Sequence, residues 1–323
     1  MRLTQSQSNT IQILKGLAII AVVFIHNTPG GLPQVFVRPF LNFAVGLFLF
    51  LSGYLSDANH WNPRKRIMKV IIPYIIWTFI YICLRCVGNL SAIPKEFVLN
   101  LITGGGAAIM YYIFVYCEFT LLIPIIDKVA KSKYKYLPFA IAPIEIIFMR
   151  LIPMLVGYEI HPYIRIVMVV SCLGWFTYFY LGYLLGNKLI EMKAKWQTLL
   201  VIWSLTILIQ FAEGYFYYSL GEGNCGTQLK LSSILSGAIF MLFVDYCLSK
   251  DISIKSILLL WLGNLSFGIY FCHLAIMSCM NHIPQYQDFC IFPINGIIAL
   301  ILSFLAIVIG RRILGKYAKY LAF

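Results

Sequence analysis

The chain has 323 residues, of which 61% are hydrophobic, 16% aromatic and only 11% charged. A soluble domain cannot bury so much apolar surface, so the composition excludes a soluble fold and predicts an all-α polytopic membrane protein. The net charge of +13 does not indicate a nucleic-acid partner. The basic residues lie in short loops between apolar segments, where they orient a protein in the lipid bilayer.

Ten apolar segments follow one another along the chain, each long enough to cross a membrane as a helix. No linker or change of composition separates them, so we expect a single transmembrane domain over residues 1–323. The segments are predicted at residues 9–27, 36–56, 67–88, 108–127, 136–156, 165–186, 197–218, 231–249, 256–280 and 293–312.

The charge of the connecting loops alternates from one predicted side of the membrane to the other. One side carries Arg64, Lys65, Arg66, Lys69, Lys128, Lys131, Lys133, Lys135, Lys188, Lys193, Lys195, Lys250, Lys255, Arg311, Arg312, Lys316 and Lys319. The opposite side carries Arg38, Lys95, Arg150, Arg165 and Lys230. The positive-inside rule therefore predicts that the first side and both termini are cytoplasmic.

The first apolar segment contains two ionisable residues, Lys15 and His26. Their spacing is about three helical turns, so both face one direction, about 16 Å apart along the helix axis. Because a lipid-facing ionisable side chain is costly, this face is expected to line a polar cavity. His26 can serve as a general base, or it can be a buried histidine bonded to a carbonyl. Lys15 can belong to the cavity or extend its amine to the cytoplasmic interface.

A basic pair, Arg66 and Lys69, lies at the cytoplasmic start of the third segment. The two residues are three positions apart and share a helix face. Such a pair can bind the phosphates of a nucleotide-like donor through charge-assisted hydrogen bonds. The same residues can also be an ordinary positive-inside anchor.

Two further polar positions lie inside predicted spans. His273 falls in the outer half of the ninth segment, at about the depth of His26. The two histidines could face one cavity, or either could equally be a structural hydrogen-bonding residue. Glu118 lies in the middle of the fourth segment, and a cationic or hydroxyl partner is expected for it. The tyrosines around Glu118 are interpreted as aromatic packing.

The nine cysteines are scattered, and most lie in apolar segments as small buried side chains. Cys225 and Cys290 lie in or near predicted outer loops, so a disulfide between them is a hypothesis. No metal site is predicted. The sequence lacks a Walker loop, a dinucleotide glycine fingerprint, His-Glu-x-x-His and Gly-x-Ser-x-Gly, so it has no nucleotide-binding domain that would power a primary transporter.

Four motifs in chain order resemble the integral-membrane acyltransferase 3 family. In that family the first helix carries Arg or Lys, ten residues and then His, and the second ends in a Phe-rich Ser-Gly-aromatic motif. An Arg-x-x-Arg-like pair followed by Pro-Tyr, and a late Ser-x-x-x-Tyr-x-x-His, complete the pattern. The matching residues here are Lys15 and His26, Phe48–Tyr54, Arg66 and Lys69 with Pro73 and Tyr74, and Ser266, Tyr270 and His273; the run Gly182–Gly186 is also similar.

The resemblance implies an O-acyltransferase, usually an O-acetyltransferase, in the bacterial plasma membrane. It would move an acyl group from cytoplasmic acyl-CoA, such as acetyl-CoA, to a hydroxyl of a cell-surface or secreted carbohydrate or a lipid-linked glycan. The residues it implies are His26 and Lys15 in catalysis, Arg66 and Lys69 in donor binding, and His273, Glu118 and Tyr270 in acceptor binding. Lys15 and Lys69 stand where arginine is commoner, and lysine lacks arginine's bidentate contacts.

Several alternatives remain open at the level of the sequence. Direct attack on the thioester and an acyl-enzyme relay are both compatible with it. The acceptor, the length of the acyl group and the oligomeric state, including a homodimer, are not determined. The competing class of function is an exporter or flippase of a glycan or small metabolite without acyl transfer, because fold does not fix function. A third class is a sensor or accessory subunit that has kept the fold but lost catalysis.

Overall fold

The computed structural model describes residues 3–252, 254–286 and 291–323. All regular elements in these ranges are helices and none is a strand, which confirms the predicted all-α polytopic fold. In chain order the α-helices are α1 (Gln5–Asn27), α2 (Leu32–Val37), α3 (Phe43–Tyr54), α4 (Pro63–Arg85), α5 (Ile93–Thr103), α6 (Tyr111–Ala130), α7 (Ile141–Ile146), α8 (Ile152–Val156), α9 (Pro162–Val170), α10 (Phe176–Gly186), α11 (Trp196–Ser219), α12 (Leu231–Ser249), α13 (Ile257–Met280) and α14 (Ile294–Leu314).

Nine helical segments in the described part of the chain have the length and apolar character needed to cross a membrane. They coincide with nine of the ten predicted segments. The remaining predicted segment, 108–127, falls on α6, which has 20 residues but is not among the nine. Three charged residues, Glu118, Asp127 and Lys128, reduce the apolar character of α6. The cytoplasmic location of both termini, which requires an even number of crossings, stays a prediction.

Several spans are interrupted helices. One consists of α2, a 3₁₀ turn at Arg38–Phe40 and α3. Pro39 lies in that turn, where it has no N–H to donate to a helical hydrogen bond. The span that contains α7 and α8 includes a π turn at Ile147–Leu151, which carries Arg150. Such π turns are rare and often occur at functional sites.

The chain forms two compact units, each built from separate parts of the sequence. Unit 1 comprises Met1–Trp61, Leu122–Glu159 and Leu173–Asn264; unit 2 comprises Asn62–Leu121, Ile160–Cys172 and Leu265–Phe323. Helices α6 and α13 contribute residues to both units. The single domain over residues 1–323 stays a prediction.

The centre of unit 1 is the contact between α3 and α10. A Cβ atom at Gly182 would overlap the carbonyl oxygen of Phe50, and one at Gly186 would overlap the carbonyl oxygen of Tyr54. Gly53 of α3 approaches the backbone of α10 in the same way. Small residues are the usual means of bringing membrane helices this close, because lipid provides little hydrophobic drive for association.

Helix α1 is held in unit 1 by a second pair of glycines. Gly16 lies against the carbonyl oxygen of Leu259 in α13, and Gly263 of α13 lies against the carbonyl oxygen of Gln12. Helix α1 also packs against α3. Lys15 is therefore adjacent to a close contact between helices, so the backbone that carries it is firmly placed.

Candidate active site

The end of α1 that carries His26 is fixed by side chains that bind its last carbonyl groups. Nδ2 of Asn27 donates to the oxygen of Val23 at 2.7 Å, and Oγ1 of Thr28 donates to the oxygen of Phe24 at 2.8 Å. Nη2 of Arg38 donates to the oxygen of Ile25 at 2.9 Å. The last four carbonyls of a helix have no partner within the helix, and two of them, those of Phe24 and Ile25, are bound by side chains here. The backbone of His26 is therefore held rigidly, while its side chain is only partly buried.

Lys15 and His26 lie on one uninterrupted helix, α1. Their predicted common face follows directly from its regular geometry. Both side chains are partly buried, whereas most of the apolar positions between them are buried. Their catalytic roles stay a prediction.

Arg38, which binds the end of α1, is positioned by buried polar contacts to α11 and α12. Nε2 of Gln210 donates to the oxygen of Pro39 at 3.3 Å, and Oγ of Ser233 donates to Oε1 of Gln210 at 2.8 Å. Gly226 leaves space for the Arg38 stem, because a Cβ atom there would lie 3.0 Å from its Cδ. The 3₁₀ turn after α2 is thus tied to two neighbouring helices.

The predicted donor pair lies at the start of α4 in unit 2. This helix begins with Pro63, and Oδ1 of Asn62 accepts from the N–H of Lys65 at 3.0 Å. Arg66 is partly buried, with its guanidinium carbon 5.9 Å from the centre of the Tyr116 ring and Nε 3.4 Å from the Tyr116 hydroxyl. Lys69 is exposed. Both cations therefore remain near the surface, and Arg66 is oriented by an aromatic ring.

The late motif in α13 forms backbone contacts within unit 2. His273 is fully buried, and its Nδ1 lies 2.9 Å from the oxygen of Ile269 one turn earlier. The Tyr270 hydroxyl donates to the oxygen of Ile109, and its ring lies 5.6 Å from that of Tyr112. These contacts favour the structural interpretation of both side chains. A cavity shared by His273 and His26 stays a prediction.

Glu118 of α6 accepts a hydrogen bond from the main chain. Its Oε2 lies 2.6 Å from the amide nitrogen of Cys172, which follows α9. The sequence predicted a cation or a hydroxyl group as the partner of Glu118. The partner in the structure is instead a backbone N–H, which is available because the helix is interrupted after α9. Its predicted contact with an acceptor stays a prediction.

The structure brings together four ionisable side chains that the sequence analysis did not treat as functional. Arg38, Arg150 and Lys230 served only as indicators of orientation, and Glu213 of α11 was missed. A usable signal was present, since the positive-inside rule makes basic residues scarce on the outer side. Arg38 and Arg150 lie in the interrupted parts of two spans, and Lys230 directly precedes a third. They lie 112 and 80 positions apart, so spacing alone could not have grouped them.

Two further predictions concern cysteines and metals. Cys225 is buried, with Sγ 3.3 Å from the oxygen of Gly31. Cys290 lies outside the described residues, so the proposed disulfide stays a prediction. Among the residues that the structure does describe, no three His, Cys, Asp or Glu side chains are grouped as a metal site would require.

Comparison with known proteins identifies the family. The model of the acyltransferase 3 family, described as an acyltransferase domain, matches residues 9–310, which is nearly the whole chain. No curated protein and no solved structure matches the chain. The matched range includes all helices that carry the predicted site residues, from α1 to α13. The chain therefore belongs to the acyltransferase 3 family and is a membrane acyltransferase.

Proposed function

We propose that this protein transfers an acyl group, most simply acetyl, from cytoplasmic acyl-CoA to a hydroxyl of a carbohydrate at or beyond the outer face of the membrane. The observation that carries the proposal is the fixed C-terminal end of α1. Side chains there bind the carbonyl groups of the three residues that precede His26. A base must be held within reach of the proton that it removes, and this arrangement provides such a position for His26.

In the proposed reaction, neutral His26 accepts the proton of the acceptor hydroxyl as its oxygen attacks the thioester carbonyl. A C–O bond forms and the C–S bond breaks. The histidine then returns its proton to the departing thiolate, so the products are an ester and free CoA. Direct attack requires no nucleophile from the protein, and we therefore prefer it to an acyl-enzyme relay.

The proposed donor contacts are Arg66 and Lys69, with Lys15 as a further cation on the helix of the base. The partial burial of Arg66 against Tyr116 supports the proposal, because it restricts the guanidinium before a phosphate binds. Lys69 is exposed and free to move toward the same group. Two such contacts to a phosphate would be charge-assisted.

Replacing both donor cations, Arg66→Gln with Lys69→Gln, should raise the KM for acetyl-CoA by about a hundredfold or more, because each charged hydrogen bond contributes about 1.5–3 kcal/mol and two are lost. The KM for the acceptor should not change. The measurement is acetyl-CoA consumption by purified protein in nanodiscs, with a glycan extract of the cell envelope as acceptor.

A matched control removes the same charge from the same helix end. The variant Arg64→Gln with Lys65→Gln carries two exposed substitutions and should keep the wild-type KM. Equal KM values for the two double variants would assign Arg66 and Lys69 to membrane orientation alone. No observation favours the exporter, since the family match is to acyltransferases.

A further inference from the structure

Three cations in unit 1, Arg38, Arg150 and Lys230, form a group that we call the outer basic cluster. Nη1 of Arg38 lies 3.4 Å from Oδ1 of Asn224, and Nη2 of Arg150 donates to the main-chain oxygen of Asn224 at 3.0 Å. Lys230 is completely buried, and its Nζ donates to the oxygen of Gln210 at 3.0 Å. The two guanidinium groups thus converge on one exposed residue.

The nearest carboxylate, Glu213, is engaged elsewhere. Its Oε2 accepts from the N–H of Ser232 at 2.8 Å, and its Oε1 accepts from the N–H of Leu231 at 3.2 Å and from the Tyr217 hydroxyl at 3.0 Å. It therefore caps the start of α12, where a helix favours negative charge. In the described part of the chain, no carboxylate lies within 4.0 Å of a cation of the outer basic cluster.

The cluster consequently holds positive charge and donor groups that the protein does not satisfy. The Nε atoms of Arg38 and Arg150 are buried without a hydrogen-bond partner. Burial lowers the pKa of Lys230 to about 8, and the two arginines act in the same direction, although Glu213 opposes them. Oε1 of Glu222 accepts from the N–H of Asn224 at 3.2 Å. Lys230 is buried, and a buried cation without a carboxylate in ion-pair range among the described residues is costly. Arg38 and Arg150 are only partly buried, so an anion from solution can reach them and supply the missing negative charge.

The cluster is connected to the candidate base. Arg38 donates from Nη2 to the oxygen of Ile25, the residue that precedes His26. A group held by Arg38 and Arg150 would therefore lie close to the end of α1. Anchoring one part of an acceptor there would restrict the position of its hydroxyl groups relative to His26.

We infer that the outer basic cluster binds a carboxylate or phosphate group of the acyl acceptor, which makes the acceptor an anionic carbohydrate. This inference rests on the proposed function and specifies its substrate class. The anion would replace the two neutral oxygen atoms of Asn224 as partner of the arginines. The exchange is favourable because hydrogen bonds to a charged acceptor are shorter and stronger than those to an amide, and an arginine can donate two of them to one carboxylate.

The test measures binding without any acyl donor, so its outcome does not depend on catalysis. Full-length protein in nanodiscs of neutral lipid is titrated with tetragalacturonate and with the neutral tetrasaccharide made by reducing its carboxyl groups. The wild type should bind the charged probe about tenfold more tightly or better, as one charged hydrogen bond requires. Arg38→Gln and Arg150→Gln should each remove this preference, whereas Arg150→Lys should keep part of it.

The control is Arg165→Gln, an exposed residue of α9 that is predicted to face the same side, and it should bind both probes like the wild type. Arg38→Gln also removes a contact to α1. If the Arg38→Gln protein does not fold, the result for Arg150→Gln decides the test. Equal affinity for the two probes, or a preference that survives Arg150→Gln, would overturn the inference. A lipid ligand at the cluster would also overturn it. In that outcome the wild type shows no preference for the charged probe, and native mass spectrometry finds an anionic phospholipid that is bound to the wild type and absent from Arg150→Gln.

Discussion

Replacing His26 with alanine should lower the rate of acyl transfer by about 10²- to 10⁴-fold, the usual contribution of a general base. The backbone around position 26 should keep its place, because the side chains of Asn27, Thr28 and Arg38 bind carbonyl groups in the last turns of α1 and are all retained in this variant. Single-turnover transfer from labelled acetyl-CoA, normalised to the amount of folded protein, measures the effect. The loss should appear in kcat rather than in the KM for acetyl-CoA.

His60→Ala is the matched control, since His60 lies in an exposed loop and pairs with Asp57 at 2.7 Å. It should transfer acyl groups at the wild-type rate. If His26→Ala retained full activity with the same amount of folded protein, His26 would be a structural residue, and another base would have to be sought.

Replacing Gly182 with alanine should destabilise the protein by about 3 kcal/mol, because the added methyl group would overlap the carbonyl oxygen of Phe50. Alanine has a better helix propensity than glycine by about 1 kcal/mol in water, so the steric term is expected to dominate. Helices α3 and α10 would have to separate along their whole contact. Thermal unfolding in detergent, followed by near-UV circular dichroism, measures the change.

Gly30→Ala provides the control for this substitution. A Cβ atom at Gly30 has no neighbour within 4 Å, so the change in stability should stay within about 0.5 kcal/mol. Equal stability of the Gly182→Ala and Gly30→Ala proteins would contradict the close packing of α3 against α10.

Two of the motifs that resemble the family are explained here by packing rather than by chemistry. Gly53, in the Ser-Gly-aromatic motif, and Gly182 and Gly186, in the Gly-rich run, are contacts between α3 and α10. The motif that contains His273 is likewise engaged in backbone contacts of unit 2. The proposed chemical roles therefore lie in α1, at the start of α4 and in the outer basic cluster.

The positions of the helices could be predicted well from the sequence. Long apolar runs with polar ends locate spans to within a few residues, as the match of the predicted segment 231–249 to α12 shows. The short helix α5 was not predicted. It has only eleven residues and includes Lys95 and Glu96, so it has no apolar run of membrane length.

The candidate site was predictable only where its residues are close in sequence. Lys15 and His26 share one helix, and helical geometry relates them directly. Arg38 and Arg150 belong to two different spans and Lys230 directly precedes a third, and only tertiary packing brings the two arginines to Asn224. The cap that Glu213 provides for α12 is also a long-range contact, and it explains why this acid forms no ion pair with the cluster.

The central claim is that the protein moves an acyl group from CoA to a glycan hydroxyl. The most direct test incubates purified full-length protein, reconstituted in nanodiscs, with [¹⁴C]acetyl-CoA and glycans extracted from the cell envelope of the source organism. We expect an alkali-labile label in the glycan fraction, with one free CoA thiol released for each acetyl group transferred. Protein that is correctly folded and yet releases no CoA and labels no glycan would contradict it.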